Sequence, residues 1–219
     1  MKQLLLAFLI IVCFSSCKDE DKPVEQKKQV TYVTCLGDGT EVVAEDEIKV
    51  LIINILSWSD SKNTFIVAPP NVIENDTVFK SFDNAQLSKN LIILGKTGFF
   101  TKGFIDNYKN IINTLDRKLK NGDYGKWYGG ELPPFRFDND VNPWCNCQDS
   151  FPWEEVKTEV ISLDDNEGEL YWKFGSDAGD DPSWSEFRYK FKVAKESGKW
   201  KIDWMEAFDF ETSIKKDGV

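Results

Sequence analysis

The chain has 219 residues with 27 basic and 37 acidic side chains, a formal net charge of -10, 41% hydrophobic residues and no histidine. The acidic balance argues against gripping a nucleic-acid backbone or an anionic lipid surface, both of which want a basic face. The lack of histidine excludes Ser-His-Asp and Cys-His nucleophile systems and His-ligated zinc, leaving carboxylates, Tyr, Lys and Cys as acids, bases or nucleophiles.

The N-terminus opens with one Lys and an apolar block from Leu4 to Val12. A basic start, a short apolar run and small residues after it predict a secretory signal over residues 1–16. The run is well short of the roughly 20 residues a membrane span needs. The stretch CFSSCKDED, residues 13–21, then resembles the lipobox of bacterial lipoproteins, with Phe14 where Leu is usual. The resemblance implies cleavage before Cys17 and acylation of that residue, palmitate included. Lys18, Asp19, Glu20 and Asp21 look like the signal that exports some lipoproteins to the outer face of the outer membrane. The expected location is therefore the outer membrane, lipid-anchored and at the cell surface, with the periplasmic face as the alternative. Cleavage would remove Lys2 and no acid, taking the charge from -10 to about -11. Residues 17–29 carry too little apolar content to fold and are expected to form a flexible acidic tether.

Residues 30–43 hold two β-rich runs around Gly37-Asp38-Gly39, which suggests a short hairpin or an extended arm. Next, Ile48, Leu51, Ile52, Ile55 and Leu56 mark one helical face, behind an acidic first turn at Glu45-Asp46-Glu47 and ahead of a stop at Ser59-Asp60-Ser61. Residues 62–80, with Pro69-Pro70, read as irregular. A second helix is expected over 81–95. A third, clearer one lies within 99–122, where Phe104, Tyr108, Ile111, Ile112 and Leu115 recur at helical spacing before Asn121-Gly122. Residues 123–153 are rich in Gly, Pro, Trp and Asp and form neither a regular helix nor a long strand. A loop of that length is usually functional or separately pinned.

The period then changes to two. Residues 156–163, the run with Leu170, Trp172 and Phe174, the run with Phe187, Tyr189, Phe191 and Val193, and the run with Trp200, Ile202 and Trp204 predict an antiparallel meander with one buried face. Helices followed by such a sheet make an α+β fold. FKVAKESGKWKIDWMEAF, with its GKWKI turn at residues 198–202, is similar to the final hairpin of the NTF2-like (cystatin-like) superfamily. In particular the chain resembles small exported NTF2-like lipoproteins whose domain, also described as DUF3828-like, has no assigned function. The likeness covers roughly residues 44–210. It implies one domain over 30–212, a cone of N-terminal helices packed on a curved antiparallel C-terminal sheet, with residues 123–153 as an insertion. Some members of that superfamily are enzymes with an Asp–His pair, a role this His-free chain cannot fill.

After loss of Cys13 and acylation of Cys17, Cys35, Cys145 and Cys147 remain for an exported protein to pair. One intervening residue argues against a Cys145–Cys147 bond, so Cys35 with either is the leading pairing; free buried thiols and a metal site are the alternatives. Asp138-Asn139-Asp140 and the loop with Asp177, Asp180 and Asp181 are acidic, but neither has the EF-hand spacing, and solvated turn carboxylates are the expectation. Neither a metal nor another cofactor is expected, and no catalytic residue is assigned. Trp127, Tyr128 and Trp144 sit among turn residues and polar groups. They serve either to pin the loop or, exposed, to contact a partner or sugar. Trp172 and Trp204 read as core or as the lining of a pocket. Asp203, off the apolar face of its strand, reads as solvated. The function that follows is binding of a protein or small ligand, with no nucleic acid. The alternative is an enzyme using Asp or Glu and Tyr in the cone.

Overall fold

The computed structural model describes residues 44–61, 65–72, 77–148, 151–175 and 186–217. The expected signal and tether, residues 30–43 with Cys35, and Asp177, Asp180 and Asp181 lie outside the described residues.

Helix α1 (Ala44–Asp60) buries Ile48, Leu51, Ile52, Ile55 and Leu56, the five residues whose spacing defines its apolar face. Strands β1 (Pro70–Val72) and β2 (Val78–Phe82) follow within the expected irregular segment 62–80, except that Ser81 and Phe82 end β2 where the second helix was expected to begin. They are too short for period-two alternation to register in the sequence. Helix α2 (Asn84–Thr97) starts on Asp83, whose side chain accepts from the Ala85 and Gln86 N–H groups. Helix α3 (Lys102–Asn121) is capped by Thr101 and ends on Gly122 at φ 77°, a left-handed position that suits glycine. Strand β3 (Trp127–Tyr128) joins β2, giving an antiparallel sheet in the order β1-β2-β3.

The larger sheet is an antiparallel meander, β4 (Lys157–Leu163), β5 (Glu167–Lys173), β6 (Tyr189–Glu196) and β7 (Lys199–Met205). A two-residue turn, Ser197-Gly198, with both φ angles positive joins β6 to β7. Its inner face carries Leu170, Trp172, Tyr189, Phe191, Val193, Trp200 and Ile202, all buried, and α1 and α3 pack beside β7. The outer face is charged: Glu159 pairs with Lys173 and Arg188, and Glu169 with Lys190 and Lys192. A short helix α4 (Phe210–Ser213) closes the described chain. The architecture is α+β, with four α-helices and two antiparallel sheets among the described residues, sharing one hydrophobic core.

One alternation breaks. Val193 pairs with Ile202 but Lys192 pairs with Trp204, so Asp203 is an extra residue in β7. Beyond this bulge Met205 turns inward and Trp204 turns outward, beneath the Lys192 ammonium at 5.7 Å. Trp204 therefore does not share the Trp200 and Ile202 face, as strict alternation predicted. Asp203 accepts a hydrogen bond from Thr101 Oγ1 at 2.8 Å, so this exposed strand carboxylate ties the large sheet to the start of α3.

Candidate functional site

Residues 123–148 and 151–153 are largely irregular and are pinned by aromatic burial. Trp127, Trp144 and Trp153 are 4%, 3% and 6% exposed. Of the two roles open to Trp127 and Trp144, pinning the loop is the one observed, and neither ring is exposed for contact: both serve the core, because a long loop without regular structure is held mainly by side chains it inserts. Trp127 packs against Phe79 in a tilted arrangement and meets Phe135 edge-on, and its indole donates to the Glu131 carbonyl. Tyr128 is exposed, on the strand edge next to it. Trp172 has no exposed surface and lies among Trp153, Phe174, Phe187 and Tyr189, so it is removed from the ligand set. The five tryptophans and tyrosines named from the sequence do not converge on one place.

The cysteines also depart from expectation. Cys145 is bonded to Cys147, not to Cys35. Asn142 N–H donates to the Cys147 carbonyl at 2.9 Å, Asn146 N–H donates to the Asn142 carbonyl at 2.7 Å, and Asn146 adopts φ 51°. This tight turn draws the two Cα atoms to 5.1 Å, within the usual disulfide range, where an extended pair two residues apart would be roughly 7 Å apart. Residue spacing alone does not show this turn, because it depends on Asn tolerating the left-handed conformation.

The stapled turn holds Trp144 in an aromatic cluster. Its ring lies 5.2 Å from Trp58, 5.8 Å from Phe65 and 4.5 Å from Phe208, centroid to centroid. Trp58 at the end of α1 also meets Phe65 edge-on at 5.6 Å. Above these rings opens a cleft of about 340 Å³, bounded by the end of α1, residues 65–67 and residues 138–144. This falls in the range of small-ligand sites. Ser59 and Ser61 stand on its rim, with hydroxyls donating to the Leu56 and Trp58 carbonyls.

Asp138 lies on the wall between this cleft and a second one of about 380 Å³ that Arg136, Glu206 and Tyr189 help to line. Its backbone is left-handed, φ 55°. Burial pushes its carboxyl up to about 6, and the Ala68 N–H, which donates to it, opposes that rise only in part. No basic side chain is among the groups acting on it. Beneath the 66–67 wall, the Tyr108 hydroxyl donates to the Val67 carbonyl, and Asn90 donates to both that hydroxyl and the Ile66 carbonyl. Burial raises the Tyr108 and Tyr189 hydroxyls well above the ordinary tyrosine range.

A third cleft, at the β4–β5 turn, is lined by Glu167, Glu169, Lys192 and Asp203, and its Glu169 is already paired with two lysines. Among the described residues no group of three acidic or cysteine side chains converges as a metal donor set, the Asp138-Asn139-Asp140 loop included. Among them, too, no helix is long and apolar enough to cross a membrane.

Sequence reasoning kept Trp144 but missed Trp58, Phe65 and the particular place of Asp138. The buried Phe135 and Phe137 mark this segment as packed against the core, but period-two alternation would put Asp138 on the opposite side, so no local signal pointed to its partly buried place. Comparison with known proteins found no matching family model, no similar curated protein and no similar solved structure.

Proposed function

We propose that this chain is a lipid-anchored lipoprotein, acylated on Cys17 and carried to the outer membrane by Lys18, Asp19, Glu20 and Asp21. Its α+β domain would be an NTF2-like cone acting as a non-catalytic binding module for a small ligand. The observation that carries the binding reading is the cleft where Trp58, Phe65 and Trp144 face a carboxylate with no basic partner among the described residues. Concave, mostly apolar sites with one well-placed polar group are what small ligands use.

The enzyme reading draws on the same raised carboxyl but has less support. Tyr108 and Tyr189 have hydroxyls committed to the Val67 and Pro143 carbonyls, and burial moves both away from neutral pH. Neither is poised to exchange a proton with a substrate beside Asp138.

Native mass spectrometry of the chain released from its own envelope tests the binding reading. The expected result is a stoichiometric small-molecule adduct that Trp58→Ala abolishes. An adduct that persists in Trp58→Ala, or no adduct from either form, would remove this cleft as the functional site.

A further inference from the structure

Resting on that reading, we propose that the cleft takes a small organic cation of the alkylammonium class, seated on Trp58 and Phe65 with Asp138 as its counter-ion. Three features of the cleft converge on this class.

The first is charge. Among the described residues that line the cleft, Asp138 alone is charged, and the rest are aromatic, aliphatic, hydroxyl or amide. An anion would meet no basic group there. A neutral polar ligand would leave the carboxylate without a counter-charge in a partly desolvated wall, which is costly. An alkylammonium supplies the missing charge.

The second is the ring arrangement. Trp58 and Phe65 meet edge to face, are each only partly buried, and both line the cleft. Trp144 sits behind them, almost fully buried, and fixes their positions. Ring faces carry negative charge density and attract a cation lying over them, Trp most strongly. The alkyl groups of the same ligand are matched by Ile66, Val67 and Pro143 on the walls.

The third is unused acceptor capacity. An ionised carboxylate has about four lone-pair sites. The Ala68 N–H is the one donor acting on Asp138 from the described chain. The overall charge of -10 adds a long-range field that draws cations to the surface.

The test is isothermal titration calorimetry on the full acylated chain in a non-ionic detergent, free of choline-like headgroups. The probes are choline, its uncharged isostere 3,3-dimethylbutan-1-ol, and N-acetylglucosamine as a neutral sugar. Choline is expected to bind at least roughly tenfold more tightly than the isostere. Asp138→Asn, a shape-conserving change, should erase that preference, and Trp58→Leu should weaken choline while circular dichroism stays unchanged. If the isostere or the sugar binds as well as choline and Trp58→Leu removes it, the cation assignment is overturned and the binding cleft stands. If no probe binds, the cation assignment is overturned and the cleft rests on the native adduct alone; if choline binds and both substitutions leave it untouched, the cation site lies elsewhere and the assignment to this cleft is overturned.

Discussion

Asn90 donates one hydrogen to the Tyr108 hydroxyl at 2.8 Å and the other to the Ile66 carbonyl at 2.7 Å, while its own carbonyl oxygen accepts from Gln86. The side chain is wholly buried and fully satisfied. It links α2 and α3 to the backbone that walls the aromatic cleft. Replacing it with Leu would strand the Ile66 carbonyl and half of the tyrosine's bonding. The expected cost is about 2–4 kcal/mol, against about 1 kcal/mol for Tyr108→Phe. Urea denaturation measures both. Because residues 66 and 67 lose their support, Asn90→Leu should also weaken ligand binding at temperatures where the protein remains folded.

Asp138 gives the protein a pH signature of its own. Its carboxyl titrates near 6 in the folded chain and near 3.8 when unperturbed, so between those values the folded state binds more protons than the unfolded state. Stability from this group is therefore greatest below about pH 4, falls as pH rises through about 6, and is flat above. A shift of about two units amounts to roughly 2–3 kcal/mol at most. Asp138→Asn should remove this slope and leave the protein more stable than wild type near pH 7, while losing cation binding. The difference between wild-type and Asp138→Asn unfolding free energies, measured from pH 4 to 8, tests it. A difference that stays constant across this window would refute the assignment.

The short disulfide makes a sharp mapping prediction. Non-reducing peptide mapping should return one peptide with Cys145 bonded to Cys147, and neither thiol should react with alkylating reagent until reduced. A cross-linked peptide containing Cys35 would contradict the structure. Closing so small a loop contributes only roughly 1.5 kcal/mol by chain entropy. The larger consequence of the double Cys→Ser variant is expected at Trp144, whose fluorescence should shift to the red as the turn that seats it loosens.

The anchor is tested separately from the domain. Cells fed an alkyne-bearing fatty acid should label the wild-type chain and fail to label Cys17→Ala. On this proposal the substituted chain should appear in the soluble fraction, because it would lose acyl chains that contribute about 0.8 kcal/mol of membrane affinity per buried CH₂. Labelling that survives Cys17→Ala would discard the lipobox reading. Changing Lys18 to Asp21 to neutral residues should keep the label but remove the chain from the cell surface.

Hydrophobic periodicity marks the long helices and the strands of the larger sheet. The spacing of Ile48, Leu51, Ile52, Ile55 and Leu56 led directly to α1, and that of Phe104, Tyr108, Ile111, Ile112 and Leu115 to α3, because a helix shows one face every 3.6 residues. The alternation of Tyr189, Phe191 and Val193 fixed the inner face of β6 for the corresponding reason. Short β1 and β2 escaped, since three to five residues hold too few periods to read. Tertiary structure decided the rest. A single bulge at Asp203 reversed the facing of Trp204, and only strand pairing reveals a bulge. A left-handed Asn146 allowed a disulfide that residue spacing alone argued against. Trp58, Phe65, Asp138 and Trp144 come from segments up to 86 positions apart in sequence, and nothing local marks them as neighbours. Whether a carboxylate is solvated or set against aromatic rings depends on which chain segments exclude water from it, and that is a property of the packed molecule.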